Sequence, residues 1–240
     1  MKRTFILTML IGFFIHSATA QSTNLTEFFS KADAFFQKNV NQGVVNYKSL
    51  STETAIFNVL LELTWNANLK NESAETRKAF WINAYNITCI HAVLKHNGIQ
   101  SPLDVEGFFT IERHKVAGEF LTLSDIENKK LMAEFNDPRL HFVLVCAAKG
   151  CPKLASTAFT DQGLEKQIED RTRVILNSPE FTKYQADTYA LKVSEIFSWY
   201  AKDFEAAGGT VEFINQYYQT HIPTSLKVEF YPYDWKLNSQ

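Results

Sequence analysis

Ala79-Phe-Trp-Ile-Asn-Ala-Tyr-Asn-Ile-Thr-Cys-Ile-His-Ala-Val-Leu94 carries no charged residue, and Lys78 and Lys95 bracket it. Wound as a helix, it turns apolar groups to every side. The pattern therefore predicts a central helix buried on most faces, not a surface helix with one apolar stripe. Asn97-Gly98 just beyond is a good C-terminal stop. Asn83 and Asn86, three apart, share one face of it. In a dry setting an unpartnered amide costs a few kcal/mol. Each must therefore pin neighbouring backbone, or position a ligand or a catalytic histidine. His91 lies well round the helix and reads as a satisfied core residue.

Working outward, residues 21–40 predict an amphipathic helix, with Phe28, Phe29, Phe35 and Phe36 near helical spacing, and 52–66 predict a second helix. Phe108 to Ile111 and Lys115 to Leu123 read as hairpin strands with a turn at Ala117-Gly118. Ser124-Asp-Ile-Glu127 matches a capping box and opens a helix. Leu140 to Cys146 is a continuous apolar run, the signature of a strand covered on both faces. Helices are expected at 161–177, 194–205 and 211–221, and strands at 188–193 and 226–231. No repeat or low-complexity linker divides residues 21–240, so they are expected to form a single domain. The fold class is α+β: helix-rich, with the central buried helix packed on a small mixed or antiparallel sheet.

The chain opens like an export signal. Lys2 and Arg3 supply the basic start, Ile6 to Ile15 the apolar core, and Ala18-Thr19-Ala20 a small-x-small cleavage site. Residues 1–20 are thus expected to be a signal peptide, and their apolar stretch is shorter than the about 20 residues that span a bilayer. The expected product is secreted or periplasmic, about 220 residues long, and without a membrane span. A formal charge of −2 lacks the basic stripe that nucleic acid would need. With Phe 20, Tyr 9 and Trp 4, the chain has a thick aromatic core or an aromatic-lined cleft.

Cys89, Cys146 and Cys151 are the only cysteines, an odd number that leaves at least one thiol without an intramolecular partner. Cys146 and Cys151 admit three readings. A local disulfide would close a tight loop worth about 2 kcal/mol. As a nucleophile, Cys151 is the better placed of the two. Gly150 before it and Pro152 after it suggest the start of a helical turn, which lowers a thiol's pKa. A metal pair is the weakest reading, since no compact histidine cluster accompanies it, and no metal or cofactor is assigned. His141 is the nearest base, or else a core histidine bonded to backbone. On a regular strand, His141 and Cys146 face opposite sides, so only a reversal at 147–150 would bring Cys151 to the imidazole. Glu127 could orient a histidine or simply close its capping box. Trp199 and Tyr200, with Asp203, and Tyr231-Pro-Tyr-Asp-Trp235 are aromatic-carboxylate groups of the kind that bind sugars or peptides or pack a core.

Taken together, several stretches resemble the domain of unknown function 547 family. They are Gly43-Val-Val-Asn-Tyr47, Phe80-Trp-Ile-Asn-Ala-Tyr-Asn86 with His91, Leu123-Ser-Asp-Ile-Glu127, and Arg139-Leu-His-Phe-Val-Leu-Val-Cys146 through Gly150-Cys151-Pro152. Ile196-Phe-Ser-Trp-Tyr200 with Asp203-Phe204, and Tyr233-Asp-Trp-Lys-Leu-Asn238, complete the set, so the resemblance covers about residues 40 to 238. The sequence departs from the pattern at Asn128, where a histidine is expected, so no metal or proton-relay role is carried over to that position. The resemblance implies a fold more than an activity. A polar-bearing helix followed by a histidine-bearing sheet is loosely similar to papain-like and transglutaminase-like cysteine enzymes. Those enzymes place the nucleophile at the start of the central helix, where this chain has Trp81 to Asn83.

Two functions stay open. One is a cysteine-dependent hydrolase or acyltransferase with Cys151 as nucleophile, His141 as base, and Glu127 or Asn86 as orienting group. The other is a non-catalytic envelope domain with structural Cys146 and Cys151, binding a small molecule, peptide, glycan or protein partner. Asn83, Cys146, Trp199 and Tyr200 are its candidate binding residues.

Overall fold

The charge-free stretch lies inside a longer helix, Ala74–Lys95, in a computed structural model that describes residues 15–52 and 54–240, with side chains from residue 24. Ser73 caps that helix by accepting the Thr76 N–H, Glu75 sits in its first turn and Lys95 in its last. These charges complement the helix dipole. Residues 79–90 are all buried, as the pattern requires. The helix starts five residues before the apolar run because Lys78 is itself buried, paired to Asp137 at 2.7 Å and Glu165 at 3.1 Å. Its neighbours are mainly helical: Ile15–Asn39, Thr54–Asn66 and the 123–132 segment.

The result is one helix-rich α+β body with small sheets. Two antiparallel pairs, Val40–Asn41 with Val44–Val45 and His114–Val116 with Glu119–Leu121, accompany a mixed sheet ordered Thr182–Gln185, Ala190–Ser194, Val228–Tyr231. The mixed sheet does not floor the central helix as expected. It belongs to a second apolar cluster with Phe197, Phe204 and Phe213, beside the larger cluster around the central helix.

Most other elements fall near their expected places. Helices run at Leu164–Leu176, Ile196–Trp199, Ala201–Glu205 and Thr210–Asn215. The Ala117-Gly118 turn forms as read, both residues at positive φ, while Phe108 to Ile111 is a set of turns and the partner strand begins at His114 instead. Thr182–Gln185 adds a strand beyond those expected.

Two local expectations need correction. The capping box sits two residues earlier: Thr122 Oγ1 accepts the Asp125 N–H at 3.0 Å, and Asp125 Oδ2 accepts the Thr122 N–H at 3.0 Å. The strand ends at Leu121, so the helix starts sooner and Glu127 is released from capping. Leu140 to Cys146 is not a strand. Asp137 accepts the Arg139 N–H and Pro138 sets the first helical position, so Pro138–Phe142 winds as a 3₁₀ turn.

Of the expected export signal, residues 1–14 lie outside the described residues. Among the described residues, no helix is long and apolar enough to cross a membrane.

Candidate functional site

Asn86 explains why an irregular segment can follow Phe142. Its Nδ2 donates to the Val143 carbonyl at 2.9 Å, and its Oδ1 accepts the Val145 N–H at 2.9 Å. One side-chain amide thus supplies the donor and acceptor that a neighbouring strand would have given. Asn83 does the same for Phe159, donating to its carbonyl at 2.7 Å and accepting its N–H at 3.0 Å. Both amides spend these groups on backbone, so Asn86 shapes the site by placing 143–145.

The segment then reverses. Ala147 takes a positive φ of 62°, and the C-terminal tail zips onto the loop through Lys149 N–H to Lys236 O (2.7 Å) and Gly150 N–H to Asp234 O (2.8 Å). Gly150 is required by proximity: a Cβ there would lie 2.9 Å from the Asp234 nitrogen and 2.9 Å from the Tyr233 ring. This contact carries Tyr233 and Trp235 to the same place as the cysteines.

Cys146 and Cys151 are joined as a disulfide, and Cys89 is free and buried. The Tyr233 hydroxyl donates to Cys146 Sγ at 3.0 Å. No helix follows Pro152, so the helix terminus expected to activate Cys151 is not formed. In the bridged state neither sulfur is a thiol.

His141, 4 % exposed, lies under the ring of Tyr200 with centroids 3.8 Å apart and planes 25° from parallel. Its Nε2 is 2.8 Å from Asp203 Oδ2, and its Nδ1 is 3.6 Å from Glu127 Oε1. Glu127 rides on a π-wound stretch, Ile126–Met132, an irregularity frequent at functional sites. Both imidazole nitrogens therefore face carboxylates.

A cavity of about 410 Å³ opens onto these groups, and Glu127, His141, Cys146, Cys151 and Tyr200 all line it. Its outer wall is aromatic: Trp199 stacks on Trp235 at 5.7 Å, and Tyr233 packs 4.8 Å from Trp199 and 4.7 Å from Trp235. Burial raises the phenols of Tyr85, Tyr200 and Tyr233, and the Glu127 carboxylate adds to each rise, in Tyr200 through a hydrogen bond. All three therefore stay neutral at neutral pH. No lysine or arginine is among the lining side chains.

The fold thus gathers Glu127, His141, Cys146, Cys151, Trp199 and Tyr200, and keeps Asn83 and Asn86 behind the wall. Asp203, Tyr233 and Trp235 were visible as aromatic-carboxylate groups. Their meeting with His141 spans dozens of residues and left no local trace. Among the described residues, no group of three or more His, Cys, Asp or Glu is placed to hold a metal ion.

No curated protein and no solved structure matches the chain. A family model described as "Protein of unknown function, DUF547" matches residues 69–174, from the lead-in to the central helix through most of Leu164–Leu176. That span holds Asn83, Asn86, Glu127, His141 and both bridged cysteines, while Trp199, Tyr200, Asp203, Tyr233 and Trp235 lie beyond it. Over residues 69–174 the chain carries a domain of the DUF547 family.

Proposed function

We propose that this chain binds a glycan in the aromatic-walled cavity, as a non-catalytic domain of an oxidising compartment whose Cys146–Cys151 bridge is structural. One observation carries the reading: Trp199, 47 % exposed and stacked on Trp235, stands at a cavity whose polar lining is hydroxyl, amide, carboxylate and imidazole, with no lysine or arginine. Flat aromatic faces suit the apolar face of a sugar ring. Glu127, Asn128 and Ser124 offer acceptors and donors to hydroxyl groups. Anionic ligands have no cation to meet there.

The test is a titration of tryptophan fluorescence with a panel of neutral oligosaccharides. Saturable quenching that is lost in Trp199→Ala is expected. A flat response across the panel, with saturation by short peptides instead, would move the reading to a peptide binder.

A cysteine-dependent hydrolase is the second reading, favoured by the placement of Cys146, Cys151 and His141 on one cavity. It ranks below because a general base needs one nitrogen turned to the nucleophile and the other to its orienter. His141 turns both to carboxylates. Iodoacetamide labelling before and after mild reduction separates the two readings. A Cys151 that becomes fast-reacting at neutral pH after reduction, with ester hydrolysis appearing alongside, would reverse this ranking.

A further inference from the structure

Cys151 also borders a second cleft, of about 470 Å³, whose chemistry is the opposite of the first. Lys149, Lys153 and Arg171 bring three positive charges to its lining, against one carboxylate, Glu180. Several other cations are answered by carboxylates: Arg77 by Glu134, Lys78 by Asp137, Lys130 by Glu119, Arg139 by Asp137 and Glu165. Lys149, Lys153 and Arg171 form no ion pair among the described residues.

Arg171 is the centre of the cleft. It projects from helix Leu164–Leu176, and one guanidinium nitrogen donates to the Lys153 carbonyl. Its remaining nitrogens have no partner among the described residues. Partial burial lowers its pKa, yet a guanidinium keeps its charge. Half-buried and without a carboxylate partner among the described residues, it turns a charged donor edge to whatever anion enters the cleft. The opposite wall is held fixed. Gln42 and Gly43 both have positive φ, and a Cβ on Gly43 would lie 2.4 Å from Lys153 Cβ, so this turn packs directly on the Lys153 backbone. Leu154, Val174 and Phe181 line the rest, giving the cleft an apolar side next to its charges.

We propose that this cleft is a binding site for a tetrahedral oxyanion carried on an apolar body, such as a phosphate or sulfate ester. Arg171 holds the oxyanion through its free guanidinium edge, with Lys149 and Lys153 as flanking point charges. The apolar wall covers the ester's organic part. The two clefts share Cys151 as a lining residue and no other, and this site does not depend on what the aromatic cavity binds.

The test is calorimetric titration of the full chain with phenyl phosphate and with inorganic phosphate, at ionic strength held constant with chloride. One-site binding is expected, tighter for phenyl phosphate than for inorganic phosphate. Arg171→Gln should weaken it about tenfold or more, the loss of one hydrogen bond to a charged group. Lys149 and Lys153 are exposed, and glutamine keeps the Cβ and Cγ of Lys153 that pack on Gly43, so the double variant Lys149→Gln/Lys153→Gln keeps the test open if Arg171→Gln does not fold. It too should weaken binding severalfold. Absence of binding beyond the chloride control, or unchanged affinity in the double variant, overturns the proposal.

Discussion

Arg139 and His141 leave the same 3₁₀ turn two residues apart and enter two different ionic centres. Arg139 joins Lys78, Asp137 and Glu165 in a closed set: two cations, two carboxylates, and side-chain hydrogen bonds of 2.6 to 3.1 Å among them. His141 joins Glu127 and Asp203 under the ring of Tyr200, and that set opens on a cavity. In the first centre every charge is answered by protein, and its work is to hold the central helix to the turn. In the second, carboxylates and phenols border empty space, so part of their hydrogen-bonding capacity is left for a ligand. The difference separates scaffold from site more sharply than burial does, because each centre runs from buried groups (Lys78 and Asp137, or His141) to a carboxylate that reaches solvent, Glu165 or Asp203.

If the first centre is scaffold, breaking it should be the most damaging change. Lys78→Met leaves Asp137 buried with half its compensation, and roughly 3–5 kcal/mol of stability should be lost. Denaturant unfolding measures this, while the fluorescence response of whatever folded protein remains should keep its midpoint. A shift of that midpoint larger than the stability loss explains would mean the two centres are coupled. Acid probes the same centre. Burial alone would raise the Asp137 pKa, but hydrogen bonds from Arg139 and Lys78 outweigh it and hold the carboxyl below its usual range. Its contribution is therefore present above the ordinary aspartate pKa of about 3.9 and is lost as pH falls below that value.

His114 offers the contrasting acid response, outside both centres. It is buried, its Nε2 has no hydrogen-bond partner, and desolvation lowers its pKa from 6.5 to about 4. The unfolded chain takes up a proton that the folded chain refuses. Stability is full above about pH 6.5 and falls between there and pH 4, by roughly 3 kcal/mol at most. Unfolding free energies of the wild type and His114→Leu, compared across that window, should diverge, with the variant the flatter of the two. Parallel curves would mean that His114 charges freely in the fold.

The two centres also mark how far a sequence can be read. The central helix was legible because a long charge-free run has few other places to go. The Leu140 to Cys146 segment was not, since continuous apolarity marks burial and says nothing of backbone path. What decides the path there is Asn86, far away in sequence, whose amide replaces a neighbouring strand. The capping box was misplaced for a similar reason, because Thr122-x-x-Asp125 and Ser124-x-x-Glu127 are equally good boxes and only the end of the preceding strand chooses between them. Glu127, His141 and Tyr200 were each singled out. Their assembly with Asp203, 62 residues from His141, is a property of tertiary packing and leaves no spacing to read.

A smaller effect is expected at the bridge between the two clefts. Opening Cys146–Cys151 in the double variant Cys146→Ser/Cys151→Ser should cost about 2 kcal/mol, since the closed loop is short. It should also weaken ligand binding in both clefts, because Cys151 lines each. Loss of stability with binding intact on both sides would show that the C-terminal tail, through Lys236 and Asp234, holds the loop unaided.

The smallest change to stability should come from Trp199, and it bears most directly on the comparison. The side chain is 47 % exposed and rests on Trp235 and Tyr233 at the cavity mouth, so Trp199→Ala removes little from the core. Stability should move by well under the about 1 kcal/mol typical of point substitutions. Oligosaccharide affinity should fall about tenfold, an amount consistent with a lost aromatic contact. Trp199→Phe keeps a flat face and should recover most of that affinity. Recovery by phenylalanine but not by leucine of similar bulk would show that the ring's face carries the binding. Equal recovery by both would reduce the aromatic wall to packing and leave the open centre around His141 without the ligand argued for it.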